Sequence, residues 1–246
     1  MEAKILKEKK NIGRQSVGAG HAGSSVGLRE RQKADRRRRI MAGAEVLFGT
    51  EGFEATTMAA IADHAGVSRP TVFNYFRSKD ELLLAIVFEV HRKTQAQVRS
   101  FQLDPAASLA EAICSFLRVY TQTSLDFIDR RTWCHVEATC IRMPDSDFVQ
   151  QYDQLTDEML QDFRDFINKL VGETVAARCL QSEPMVDIMF NHWSALFIQL
   201  IRDQSTTVDE HIARLRKDLS VLITALAVEP ADRYRASDCV PPQAGT

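Results

Sequence analysis

The chain of 246 residues has no apolar run approaching the length of a membrane-spanning helix, and its N-terminus lacks the apolar core of a secretory leader. A cytoplasmic protein is expected. Five cysteines, Cys114, Cys134, Cys140, Cys179 and Cys239, form an odd set without paired spacing, which fits a reducing compartment rather than a disulfide framework. Enzyme signatures are missing too: there is no H-E-x-x-H, no phosphate-binding loop and no nucleophile elbow. Cys134-His135-Val136-Glu137 contains half of a zinc deaminase signature, but the P-C-x-x-C that must follow is absent. No catalytic residue, metal or cofactor is therefore expected. A metal or redox role for Cys134, His135 and Cys140 has neither ligand spacing nor a basic setting behind it. Credible strand alternation is also lacking, so the chain reads as all-α.

What is present is ordinary for a globular protein, with 45% hydrophobic and 26% charged residues and a formal charge of −2. The charge is unevenly divided. Residues 1–100 carry 18 Lys and Arg against 11 Asp and Glu, net +7, and the remainder carries 13 against 22, net −9. A basic N-terminal part on an acidic body orients the molecule toward a polyanion.

The chain is organised around residues 56–79, TTMAAIADHAGVSRPTVFNYFRSK. Thr57 is a good N-cap, and Met58, Ile61, Ala62 and Ala65 follow at helical spacing. Gly66 stops that helix and Ser68 caps a second one in a new direction. In this reader helix Val72 and Phe76 turn inward, while Pro70, Thr71 and Asn74 fall on the opposite side, flanked by Phe73 and Tyr75. Arg69 in its first turn and Asn74 are side-chain types that read guanine and adenine in a major groove; Ser68 and Thr71 suit phosphates. A capping box of Ser78 and Glu81 then opens a long helix, with Lys79 placed to hold a phosphate.

These residues, together with Ile40, Ala44, Leu47, Phe48, Gly52 and Phe53 before them and Leu82 and Leu83 after, closely resemble the DNA-binding domain of the tetracycline-repressor (TetR) family of bacterial transcription regulators. The resemblance covers residues 36–85. It implies an N-terminal three-helix helix-turn-helix domain, a C-terminal helical domain for ligand binding and dimerisation, and a place beside the bacterial nucleoid. DNA contacts are then expected from Thr57, Ser68, Arg69, Pro70, Thr71, Asn74, Tyr75 and Lys79. Phe73 is a departure, standing where the family usually has a tyrosine whose hydroxyl binds phosphate.

Around this core, residues 1–30 are Lys-rich, then Gly/Ser-rich, and read as a disordered basic extension. The reader module spans 31–80, its first helix starting near Lys33 and carrying four consecutive arginines, Arg36, Arg37, Arg38 and Arg39, of which one or two are expected on phosphate. The helical body spans 81–228, and 229–246, with Pro241-Pro242, reads as a flexible tail. The helix from Lys79 to about Ser100 is the mechanical link between module and body.

In the body, Ile212, Leu215, Leu219, Leu222 and Leu226 recur at spacings of three and four, the seam of two packed helices. The preceding helix shows two apolar stripes, one of them Met189, Trp193, Leu196 and Leu200. A spare stripe beside such a seam predicts a four-helix interface between two copies of the chain. Family resemblance implies the same homodimer on a palindromic double-stranded operator, and a small-molecule effector bound in the body. Inward candidates for that effector site are Phe116, Tyr120, Trp133, His135, Glu137 and His192, aromatic walls with a few polar groups. Two functions compete: a repressor released from DNA by the effector, and a DNA-binding regulator without one, acting as an activator or through protein partners.

Overall fold

A computed structural model describes residues 22–102, 104, 106–170 and 180–227. The outer extension, the tail from residue 228, Cys179 and Cys239 lie outside them. Every regular element among the described residues is a helix: α1 (Ala22–Glu51), α2 (Met58–Ala65), α3 (Arg69–Tyr75), α4 (Lys79–Arg99), α5 (Leu109–Phe127), α6 (Arg130–Arg142), α7 (Asp147–Leu170), α8 (Glu183–Arg202) and α9 (Val208–Ala227). None is long and apolar enough to cross a membrane.

The first helix corrects one boundary. It begins at Ala22, not near Lys33, so residues 22–30 are helical where a disordered extension was expected. Arg29, Glu30, Arg31, Gln32 and Lys33 are straight-chain helix formers, and adding a turn to an existing helix avoids the cost of nucleation. Gly23 and Gly27 cost only about 1 kcal/mol each against alanine, too little to stop it.

The turn between α2 and α3 follows from its sequence. Gly66 sits at φ +62°, ψ 42°, and its N–H and that of Val67 close on Asp63 and Ala62 carbonyls. Side chains with a Cβ rarely adopt this conformation. Thr57 and Ser68 accept hydrogen bonds from Ala60 N and Thr71 N, capping α2 and α3. Ser78 caps α4 through Glu81 N, but the Glu81 carboxylate reaches back one residue further than a capping box requires, to Arg77 N at 2.7 Å.

One hydrophobic cluster runs from Ile40, Ala44 and Phe48 of α1 through Ile61, Val72 and Phe76 to Leu83, Ile86 and Val90 of α4, and on to Trp133, Phe148 and Leu200 of the body. The apolar core therefore crosses the boundary expected at residue 80. A second cluster joins α5, α7, α8 and α9 around Phe116, Phe163, Met189, Trp193 and Leu215. Each such side chain contributes about 1.5–3 kcal/mol by its burial. At 1.5 Å per residue α4 is about 32 Å long, and it packs on α1, α5 and α7.

Candidate nucleic-acid interface

On the reader helix α3, Val72 and Phe76 are buried and anchor it to α1 and α4, as their spacing predicts. Arg69, Pro70, Phe73 and Asn74 are exposed, and the Arg69 and Asn74 side chains have no hydrogen-bond partner in the described chain. Their donors and acceptors are free for an external ligand. Phe73 is 52% exposed, a large ring left in water on the outer face. A ring there suits apolar contact with a thymine methyl rather than a polar contact with phosphate.

The other expected contacts are engaged within the protein. Ser68 and Thr71 hydroxyls bond each other at 2.8 Å, and Thr57 is held by its capping bond. The Tyr75 hydroxyl accepts from Arg36 Nε at 3.3 Å. Lys79 turns back from the open end of α3: its Nζ donates to the Phe53 and Glu54 carbonyls at 2.7 and 3.1 Å and lies 4.6 Å from the centre of the Phe53 ring. The lysine ties α4 to the α1–α2 turn with two of its three N–H groups, leaving a single N–H for the phosphate contact expected of it.

The four arginines likewise serve the fold. Successive residues on a helix point ~100° apart, so each meets a different neighbour. Arg36 meets Tyr75, Arg37 lies over the Phe76 ring at 5.3 Å, Arg38 pairs with Asp35, and Arg39 donates to the carbonyls of Ala65 and Gly66 at 2.5 and 2.9 Å. Arg39 thus caps the C-terminus of α2, where a cation also opposes the helix dipole.

The body holds a cavity of about 290 Å³ between α4, α5, α6, α7 and α8. Val87, Val90, His91 and Thr94 give it one face of α4, and Trp133, Glu137 and Cys140 one face of α6. Of the six effector candidates, Tyr120, Trp133 and Glu137 line this cavity and the other three do not. Phe116 is stacked on Phe166 in the second cluster, with ring centres 4.1 Å apart. His192 faces Asp218 at 3.0 Å. His135, two residues from Glu137 and so on another side of α6, stacks on Phe53 with centres 3.8 Å apart and approaches Glu54 and Asp80 at 3.4 and 3.7 Å. The cavity-lining helix α6 therefore touches the α1–α2 turn with its other face. Burial pushes the pKa of Glu137 up from its ordinary value, opposed by a hydrogen bond from the Tyr152 hydroxyl at 3.0 Å. Sequence reasoning missed His91, Thr94 and Tyr152. The signal for His91 and Thr94 was two polar residues at the inward spacing of Val87 and Val90.

The residues expected at a dimer interface are mostly inside the protomer. Met189, Trp193, Leu196, Leu200, Ile212, Leu215 and Leu219 are buried in its own core, and Leu222 and Leu226 are partly buried against it. A three-and-four pattern identifies a seam but not its partner, and here α9 packs on α5 and α8 of the same chain. The outer faces are left with Ile188, 53% exposed, and Val221, 67% exposed, beside Ala195 and Ala225.

Comparison with known proteins agrees with this architecture. Residues 40–86 match the profile of bacterial regulatory proteins of the tetR family. The HTH-type transcriptional regulator RutR of Escherichia coli K12 is 31% identical over 103 residues, 42% of this chain and 48% of that protein. The chain thus spans about half the length of that relative. The HTH-type transcriptional activator FasR of Mycolicibacterium smegmatis is 42% identical over 53 residues, 22% of this chain and 24% of its own. Among solved structures, a TetR-family transcriptional regulator from Pectobacterium atrosepticum superposes with a TM-score of 0.57 at 16% identity, covering 81% of this chain and 98% of its own. That likeness extends the shared fold through the body. The profile match thus identifies residues 40–86 as a helix-turn-helix of the tetR family of bacterial regulatory proteins, and the rest of the described chain shares the all-helical fold of a solved TetR-family regulator.

Proposed function

We propose that the protein is a sequence-specific DNA-binding transcriptional regulator: a homodimer whose two reader helices enter successive major grooves of a palindromic operator and are released by a small molecule bound in the body. Residues 31–80 act as the reader, 81–228 as the effector and dimerisation part. Arg69 and Asn74 read base edges, Phe73 and Pro70 fill the groove, and Ser68, Thr71 and Tyr75 sit against the backbone. The two copies meet through the outer faces of α8 and α9 around Ile188 and Val221.

The observation that carries the control mechanism is the placement of α4. Its first turn follows the reader directly, and further along the same helix Val87, Val90, His91 and Thr94 wall the cavity. A ligand that fits the cavity only when α4 is displaced shifts the spacing of the two readers, and it can do so by no more than its preference for that state. A second path runs through α6, from Glu137 at the cavity to His135 on Phe53.

The test is selection of bound sequences from a random duplex pool by the purified protein at moderate salt. Recovery of a palindrome with half-sites about one turn, ~34 Å, apart is expected. Recovery of no preferred sequence, or of a single unrepeated half-site, would sink the dimeric reader. Binding to the recovered operator that no small molecule alters would favour a regulator under protein control.

A further inference from the structure

The chemistry of the cavity narrows what it takes. The inference rests on the reading of the body as a ligand-binding part.

The fixed polar hydrogens on its wall are already engaged. Tyr120 donates to Asp162, Tyr152 to Glu137, Trp133 to the Ser124 carbonyl and Trp193 to Thr121 Oγ1. Thr94 and Thr156 donate to the carbonyls of Val90 and Tyr152. The hydroxyls of Ser124 and Ser194, which can donate or accept, and the weakly donating thiol of Cys140 are the neutral exceptions. No lysine or arginine lines the wall.

Acceptors, by contrast, are unpaired. His91 is 8% exposed and its Nδ1 is buried without a hydrogen-bond partner, while its Nε2 is 3.1 Å from the Glu158 carboxylate. An ionised carboxylate can only accept, which places a proton on Nε2 and leaves Nδ1 of the neutral ring as a bare acceptor. Glu137 has one oxygen on the Tyr152 hydroxyl and no cation beside it; its other oxygen has no partner in the described chain. Asp153 stands at the exposed margin, and Asp162 lies behind Tyr120. Tyr120, Trp133, Phe190, Trp193 and Phe197 supply aromatic wall, whose ring faces attract cations.

We propose that this cavity binds an organic ammonium, an apolar body with one protonated nitrogen whose N–H groups are taken by Glu137 and His91 Nδ1. An anionic ligand finds no charged donor there and meets the Glu137 carboxylate. A neutral donor satisfies His91 but leaves Glu137 uncompensated, and burying a charge without a partner is costly.

The test uses three probes with one apolar body: 4-phenylbutylammonium, 4-phenylbutanol and 4-phenylbutyrate. Both tryptophans of the chain, Trp133 and Trp193, line the cavity, so intrinsic fluorescence of the full chain reports occupancy. The ammonium is expected to bind about tenfold more tightly than the alcohol, with the carboxylate weakest. In Glu137→Gln, whose amide still accepts from Tyr152, the ammonium falls to the level of the alcohol while alcohol binding stays, which also certifies the fold. Carboxylate binding equal to or tighter than the ammonium, an unchanged preference in Glu137→Gln, or no binding of any probe at millimolar concentration overturns the proposal. Operator release is measured separately. Ammonium binding in the expected order without release upholds the site and sinks the ligand-controlled reading instead.

Discussion

The reader surface and the body cavity are both polar sites in an apolar frame, but they present opposite halves of the hydrogen-bond inventory. On α3 the uncommitted groups are those of Arg69 and Asn74, a cation and an amide facing outward into water. In the cavity they are acceptors, His91 Nδ1 and Glu137, sheltered under aromatic rings. Water meets the needs of the first set in the free protein. In the second set His91 Nδ1 is buried without a partner and half-buried Glu137 keeps one oxygen free, so it is where a bound donor gains most. Side chains engaged within the protein, Arg36, Arg39 and Lys79 among them, hold the frame between these two sites.

The largest effect that would sharpen this contrast is in the body and concerns acid. His211 lies buried between α5 and α8, with Nε2 3.4 Å from Thr121 Oγ1, and burial lowers its pKa from 6.5 to about 4. Its folded-state pKa is depressed, so the unfolded chain binds the extra proton. Stability is then complete above pH 6.5 and falls as pH drops from 6.5 toward 4, by on the order of 2 kcal/mol. Denaturant titrations across that window check it, and His211→Gln should remove the step.

Next comes the contrast within the arginines. Arg39→Ala removes two carbonyl partners at the end of α2 and is expected to cost about 2 kcal/mol of stability, whereas Arg69→Ala changes stability by less than ~0.5 kcal/mol. Equal melting temperatures for the two variants would break the distinction between committed and free side chains.

For base reading, Asn74→Ala is expected to lose about 1–2 kcal/mol of discrimination between operator and random DNA with stability unchanged. Equal losses on both DNAs would remove Asn74 from base contact. The smallest effect is at Lys79: replacing it by Gln loosens the α1–α2 turn and should lower stability by about 1 kcal/mol, weakening binding to every sequence through the module's geometry. A change in salt dependence of about one counterion, without loss of stability, would return Lys79 to direct phosphate contact.

Legibility in the sequence followed the range of the interaction. The turn at Gly66, the caps at Thr57, Ser68 and Ser78, and the inward pair Val72 and Phe76 all depend on neighbours within a few residues, and all stand where the pattern places them. The four arginines read as a phosphate-binding run because partners of Arg36, Arg37 and Arg39 lie 26 to 39 positions away in sequence; Arg38 pairs locally, with Asp35. The effector set divided for the same reason. Trp133, Glu137 and His135 are neighbours on one helix, yet only the packing of α1 and α4 against α6 decides that the first two line the cavity while His135 lies on Phe53.

By itself, then, the amino-acid sequence determined the all-helical class, most of the helix boundaries, the reader with its outward Arg69 and Asn74, and the tetR-family character of residues 40–86. These rest on capping chemistry, helical periodicity and residue spacing, all local along the chain. Tertiary structure alone decided which charged groups are free and which are tied, and that the α9 seam closes on α5 and α8 of its own chain. It also decided that a cation-free, acceptor-rich cavity lies against α4. A side chain's type sets what it can bind, but only the packing of distant helices sets whether that capacity is already filled.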